Sequence, residues 1–454
     1  VKPARLWADA SDRCSGFGLV AAGKLKPRAS TTITASPLSV GYETLDRKRF
    51  DPVKTYQHAA QLGVKWARCQ TGWARTEKTR GQYDFGWLDE VVDGLLNIGI
   101  QPWFNLGYGN PLYTPGADET AVGWVPVFDE AAMDGWTAFT GKIANHFRDR
   151  VRHYEIWNEP NHKNFWKPGE PDAAGYVKLV ERTAPVIRRH VPNAVIIGGA
   201  IAVGGAVADV KLDYIKKCLE AGLARHIDKF SYHPYRPEPE LGYAKNGYES
   251  DVHTLRDLLA QHGAARVGLW QGENGCPSQA GGTGALAEID WNETRQAKWL
   301  LRRILSDLRM EIELTSYFLI VDLPGYTGGT NWKGLLRLAD YTPKPAYFAY
   351  QNLCALFDAE TRKADLPIQV EGTGETKVVT ASFLRRGQPL YVYWATAVLT
   401  KDVPLQKARV TVGSKLQSPA LLDPLTGQVN KITAFDALPL ADYPLIIAAE
   451  KLFT

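Results

Sequence analysis

From residue 38 onward the chain alternates between short runs of strand-forming residues and longer stretches whose apolar side chains recur every three or four positions. Residues 38–43, 64–70, 101–106, 151–157, 195–199, 229–232, 267–271 and 314–321 are short, apolar and rich in β-branched or aromatic side chains, the signature of buried strands. Between them the period changes. Residues 52–62 follow Asp51-Pro52, a capping residue and a first-turn proline, and read as a helix. Trp87, Leu88, Val91, Val92, Leu95 and Ile98 lie on one helical face, as do Trp136, Phe139, Ile143 and Phe147. Residues 172–190, the set Leu212, Ile215 and Leu219, the set Val252, Leu255, Leu258 and Leu259, the set Trp299, Leu300, Ile304 and Leu308, and residues 344–356 complete the helical segments. Strict alternation of eight strands with eight helices over 38–358 predicts an α/β fold, a (β/α)₈ TIM barrel. A doubly wound sheet is the competing arrangement, but no GxGxxG follows the first strand.

Past residue 358 the pattern is purely that of strands and turns. Residues 376–384 and 389–394 flank an Arg-Arg-Gly-Gln turn, and 408–412, 420–423 and 443–449 follow, which predicts a C-terminal antiparallel β-sandwich domain over 359–454. Residues 1–37 form an N-terminal segment in which 16–22 and 30–34 read as strands that could join the β-domain.

Composition narrows the class. The 454 residues are 45% hydrophobic and 22% charged, as in folded globular domains. A net charge of +4 without any block of Lys or Arg gives no footprint for nucleic acid or membrane, and no apolar run approaches the ~18–20 residues of a membrane helix. Five cysteines (Cys14, Cys69, Cys218, Cys276, Cys354) form no CxxC, and the nine histidines no HExxH, so free buried thiols and no metal centre are expected. The chain begins at Val1, which slightly favours a processed, secreted or periplasmic protein over a cytoplasmic one.

A barrel of this kind collects its chemistry at the C-terminal ends of its strands. Those ends carry Glu43; Arg68, Thr71 and Trp73; Asn105 and Tyr108; Asn158 and Glu159; His233 and Tyr235; Glu273 and Asn274; Tyr317 and Phe318. Two carboxylates stand out, Glu159 after strand four and Glu273 after strand seven, which face one another across a barrel mouth. The aromatic and hydrogen-bonding residues around them suit a sugar, with flat apolar faces and a rim of hydroxyls. Each has a plainer reading: Arg68 as a buried ion-pair partner, His233 as loop packing, the tryptophans as core filling, Cys276 as a small buried residue.

Trp157-Asn158-Glu159-Pro160, His233-Pro234-Tyr235 and Trp270-Gln271-Gly272-Glu273, in that order, resemble the signature of the clan A glycoside hydrolases. Gly81-Gln82-Tyr83-Asp84-Phe85 ahead of Gly99-Ile100-Gln101-Pro102, and Gly334-Leu335-Leu336 ahead of Pro343-Lys344-Pro345-Ala346-Tyr347, are most similar to glycoside hydrolase family 39. The resemblance covers 38–358 and, more loosely, the C-terminal β-domain. It implies a retaining glycosidase acting by double displacement, with Glu159 as acid/base and Glu273 as nucleophile, and with no cofactor. It further implies that Arg68 and Tyr235 hold Glu273 ionised, that Asn158 binds the sugar 2-hydroxyl, and that His233 supports the −1 sugar or the carboxylate pair. Trp73, Asn105, Tyr317 and Trp332 complete the expected substrate-binding set. The chain departs from the clan at strand eight, where Tyr317-Phe318-Leu319 replaces the usual tryptophan and Trp332 on the next loop is the candidate substitute. Two other functions use the same residues: an inactive carbohydrate-binding scaffold, and a transglycosylase. Sugar, linkage and exo or endo action depend on the loops at 109–130, 162–171, 236–250 and 276–292.

Overall fold

The computed structural model describes residues 16–203, 208–241, 247–399, 401 and 403–453, and of 208–211 the backbone alone. Cys14 and part of the 236–250 loop lie outside these. A first strand, β1 (Leu19–Lys24), precedes the barrel. Eight parallel strands then close on themselves in sequence order: β2 (Leu38–Tyr42), β3 (Trp66–Gln70), β4 (Gln101–Leu106), β5 (His153–Ile156), β6 (Val195–Ala202), β7 (Lys229–His233), β8 (Gly268–Asn274) and β9 (Leu314–Tyr317). Around them run α1 (Tyr56–Leu62), the single turn α2 (Trp73–Thr76), α3 (Gly86–Asn97), α4 (Glu130–His146), α5 (Ala173–His190), α6 (Ala208–Glu220), α7 (Tyr248–Gln261), α8 (Glu293–Arg309) and α9 (Pro345–Leu356).

Side chains inside the barrel fill it rather than leave a channel. Trp103, Ile197, Trp270 and Leu314 form one buried cluster, with Trp270 edge-on to Trp103 and stacked on His153. This plug floors the functional end. Local sequence sets the helix starts: Asp129, Asp172 and Asn292 each accept hydrogen bonds from first-turn backbone N–H groups of α4, α5 and α8.

Several boundaries move. The helix expected from residue 52 begins at Tyr56, because a separate 3₁₀ turn, Val53–Thr55, comes first, with Asp51 Oδ1 accepting the Val53 N–H. Strand four starts at His153 and strand eight stops at Tyr317. Residues 30–34 are not a strand: Ser30–Thr32 is a 3₁₀ turn in which Thr32 Oγ1 donates to Ala29 O and Ser30 Oγ to Ala59 O. Hydroxyl-to-backbone bonds outcompete the strand preference of Thr-Thr-Ile there.

A hairpin, β10 (Leu323–Tyr326) with β11 (Gly329–Asn331), follows the last barrel strand. Beyond α9 come β12 (Thr361–Lys363), β13 (Ile368–Glu371), β14 (Val378–Arg385), β15 (Gln388–Ala395), β16 (Gln406–Val412), β17 (Pro419–Asp423), β18 (Gln428–Ile432), β19 (Leu438–Leu440) and β20 (Leu445–Ala449). They form a seven-stranded sheet, β1-β18-β17-β20-β15-β14-β12, and a three-stranded one, β13-β16-β19. β1 enters the larger sheet by antiparallel pairing with β18.

Buried ion pairs tie these sheets to the barrel. Asp358 accepts from Arg385 at 2.7 Å and also pairs with Arg28. Glu240, on the loop after β7, accepts from Arg302 Nε of α8 at 2.8 Å and from Trp394 Nε1 of β15 at 2.6 Å. The segment carrying His233 and Tyr235 is thereby anchored to both bodies.

Candidate active site

The backbone aims the two glutamates through local irregularity. Trp157 and Glu159 take left-handed φ values of 71° and 46°, which residues with a Cβ adopt only when the surroundings impose it. The surroundings here are a bulge in β6: the β6–β7 register shifts between Gly199 and Ile201, and Ala200 O accepts Glu159 N–H at 2.9 Å. A second register shift, between Gln271 and Asn274 where β8 meets β9, re-aims Glu273. Asn274 Nδ2 donates to Pro234 O at 2.8 Å and joins the ends of β8 and β7.

One oxygen each of Glu159 and Glu273, and one ring nitrogen of His233, lie within 4.8 Å of one another. Both glutamate side chains keep 12% exposure, whereas Arg68 and His233 keep none. The two carboxylates have different neighbours. Glu273 Oε1 accepts from Tyr235 OH at 2.7 Å and Oε2 from Arg68 NH1 at 2.7 Å. Glu159 Oε1 lies 3.0 Å from His233 Nδ1, which is 3.9 Å from Glu273 Oε2. Three such ligands could frame a metal ion, but guanidinium and phenol donors already occupy both Glu273 oxygens. Glu273 thus faces two donors, and Glu159 faces an imidazole that can carry the proton Glu159 exchanges. Burial pushes the Glu159 carboxyl up, but the hydrogen bond and charge of His233 outweigh it and hold Glu159 below its ordinary range.

Arg68 organises the floor. Its Nε donates to Glu155 Oε2 at 2.9 Å, its NH2 to Asn158 Oδ1 at 2.8 Å, and its NH1 reaches Glu43 Oε1 at 3.3 Å as well as Glu273. Burial opposes its charge, but three carboxylates reverse the balance and raise its pKa. Because Arg68 takes Asn158 Oδ1, the amide hydrogens of Asn158 remain the donors it can offer a sugar. Glu43 fits because residue 41 is glycine: a Cβ there would sit 2.0 Å from Glu43 Oε2. Burial pushes Glu43 up to about 8, with Arg68 opposing and Glu273 reinforcing. A carboxyl raised in the folded state contributes stability that is fully present below its ordinary 4.5 and is lost as pH rises through about 8. The stability of the wild type relative to Glu43→Gln should therefore fall across that interval, as urea titrations at stepped pH will show.

Of the expected substrate-binding residues, Arg68, Asn158, His233 and Tyr235 come together around the carboxylates. Three others do not. Trp73 is fully buried, stacked on Tyr113 and Phe139 with centroids 5.0 and 5.8 Å away, and its indole N–H donates to Glu77. Asn105 lies beneath the site, donating to Glu155 Oε2 at 2.9 Å and Trp157 O at 2.7 Å. Tyr317 points away, accepting from Gln296 Nε2 at 3.0 Å. A side chain at a strand end can turn outward into the helix layer, and a large aromatic is drawn there by the area it buries. Trp332 is half-buried beside the 281–284 loop, where a Cβ on Gly282 would lie 2.7 Å from its ring. Trp73→Ala should accordingly cost about 3–5 kcal/mol of stability, read by urea titration, and leave KM for any cleaved glycoside unchanged.

Sequence reading missed Glu155, Tyr326 and Lys333. Tyr326, on β10, is pushed up by burial and by the charges of Glu159 and Glu273. Lys333 is 1% exposed, lies 5.8 Å from the Tyr235 ring centre, and is pushed down to about 8 by burial. Cys276 is a buried thiol raised by burial, out of reach of thiol chemistry.

The sequence model of glycosyl hydrolases family 39 matches residues 23–258. A β-xylosidase of Geobacillus stearothermophilus is 29% identical over 198 residues, 39% of this chain and 38% of the relative. A β-xylosidase of Caldicellulosiruptor saccharolyticus is 23% identical over 294 residues, 60% of this chain and 56% of the relative. The chain thus matches less than two thirds of the length of either. Among solved structures, a family 39 glycoside hydrolase from Bacteroides cellulosilyticus WH2 superposes with a TM-score of 0.70 at 20% identity, over 91% of this chain and 81% of that one. A monomeric β-xylosidase from Caulobacter crescentus CB15 gives 0.60 at 18% identity, over 94% and 97%. These likenesses carry the fold, a barrel with an appended β-domain. With its family model matching more than half of its length, the chain belongs to glycoside hydrolase family 39.

Proposed function

We propose that this protein is a retaining glycosidase in which Glu273 attacks the anomeric carbon while Glu159 protonates the departing oxygen. The observation that carries this is the placement of the two carboxylates, with oxygens within 4.8 Å of each other and with unlike neighbours. Retaining enzymes hold their carboxyls ~5–5.5 Å apart, whereas inverting ones leave room for water at ~6.5–9.5 Å. In the first step the Glu273 oxygen forms a glycosyl ester as the C–O bond of the leaving group breaks and Glu159 supplies its proton. In the second, Glu159 takes a proton from water, which attacks the anomeric carbon and releases Glu273. Arg68 and Tyr235 donate one hydrogen bond to each Glu273 oxygen and fix the orientation of its carboxyl. Asn158 offers its amide hydrogens to the 2-hydroxyl, a bond that strengthens as positive charge develops on the sugar.

β-Xylosides are the first substrate class to test, because the relatives from Geobacillus stearothermophilus and Caldicellulosiruptor saccharolyticus are β-xylosidases. A panel of aryl glycosides, with the first-formed anomer followed by NMR, tests both parts. Release of β-xylose from an aryl β-xyloside is expected. Initial appearance of the α-anomer would overturn the mechanism, and cleavage confined to other glycosides would overturn the substrate class.

A further inference from the structure

Beneath the carboxylates three buried polar atoms converge, none with a hydrogen-bond partner among the described residues: Ser231 Oγ, Glu155 Oε1 and His233 Nε2. Ser231 and His233 are on β7 and Glu155 on β5, and all three residues are fully buried. Gly272 on β8 leaves the space they share. A Cβ there would meet Ser231 Oγ at 2.2 Å, Glu155 Oε1 at 3.2 Å and His233 Nε2 at 3.4 Å. A buried polar atom without a partner is destabilising, so three at one point call for a common solution.

Counting protons supplies it. Glu159 Oε1 lies 3.0 Å from His233 Nδ1, close enough for one proton to pass between them. Whether it sits on Glu159 beside a neutral imidazole or on His233 beside an anionic carboxylate, Nε2 also carries hydrogen and needs an acceptor. Glu155 presents an oxygen that needs a donor, since Arg68 engages only its Oε2. A hydroxyl is the one group of the three that can accept from the first and donate to the second. The opposite tautomer would spend the serine hydrogen on Nε2 and leave Glu155 Oε1 bare. We infer that a small adjustment of the Ser231 side chain closes a relay between them, Nε2–H to Oγ and Oγ–H to Glu155 Oε1, and holds neutral His233 as its Nε2–H tautomer with the Nδ1 lone pair left for the Glu159 proton. Ser231 and Glu155 are positioning residues in this scheme, which rests on the glycosidase reading above.

The groups facing His233 are Glu159 and Glu273 at Nδ1, Glu155 at Nε2, Arg68 bonded to both Glu155 and Glu273, and Tyr235 on the same strand end. Removing the relay withdraws the acceptor from the protonated Glu159–His233 pair. The deprotonated pair escapes by switching tautomer, so the proton leaves at lower pH. Ser231→Ala should therefore move the alkaline limb of kcat/KM about one pH unit lower for a leaving group that needs protonation. The rate of bond cleavage should not change for a dinitrophenyl leaving group, which departs without help. Independently of activity, ¹⁵N NMR of histidine-labelled wild-type protein, assigned by difference against His233→Gln, should show hydrogen on Nε2 throughout the neutral range. A neutral His233 protonated at Nδ1 overturns the relay, and so does an unshifted pH profile in Ser231→Ala. A protein that cleaves no glycoside but carries the Nε2 hydrogen keeps the relay and loses only the glycosidase reading.

Discussion

Glu273→Gln is expected to reduce kcat/KM by about 10⁴-fold or more, because an amide cannot form the glycosyl ester through which both steps pass. The fold should survive. Arg68 retains Glu155 and Glu43 as partners, and Tyr235 can still donate to the amide oxygen. The loss should appear in kcat, with sugar still bound, since the recognition groups are intact. A small nucleophile such as azide, placed in the cavity of Glu273→Gly, should restore part of the rate and yield a glycosyl azide of inverted anomer. That inversion identifies the face from which Glu273 attacks, and a mere fall in activity does not.

Glu159→Gln should behave differently, and the difference separates the two glutamates. Loss of a general acid costs typically 10²–10⁴-fold. Here the loss in the first step should scale with leaving-group basicity: large for alkyl and nitrophenyl glycosides, small for dinitrophenyl ones. The second step should slow for every substrate, since water then lacks its base, and the glycosyl-enzyme should accumulate as a burst. Azide should accelerate that step and give a product of retained anomer, because it needs no deprotonation. A Glu159→Gln enzyme equally impaired on good and poor leaving groups would mean that another residue supplies the proton.

The barrel was legible because eight short apolar runs alternate with eight period-3.6 stretches, and only closed or doubly wound parallel sheets accept that order. Glu159 and Glu273 were legible for the same reason, since a strand end in such a barrel is already a position in space. What was not legible depends on contacts the local pattern does not encode. Tyr317 ends β9 and Trp73 opens the helical turn just past β3, yet both turn into the helix layer, where Gln296 and Phe139 receive them. Glu155 sits mid-strand and would be an unlikely buried charge but for Arg68, 87 residues earlier in the chain. The strands β12, β13, β18 and β19 run three to five residues, too short for alternation to separate them from loop. Their pairing partners across the β-sheets decide their state.

The glycosyl-enzyme itself is the most direct test. Incubation with a dinitrophenyl 2-deoxy-2-fluoro-β-xyloside lets the first step proceed while the fluorine slows the second, and peptide mass spectrometry then locates the label. The double-displacement account predicts one fluorinated pentosyl unit on the peptide containing Glu273, formed together with one equivalent of dinitrophenol. A label on any other residue, or steady release of inverted sugar with no labelled peptide, would contradict it.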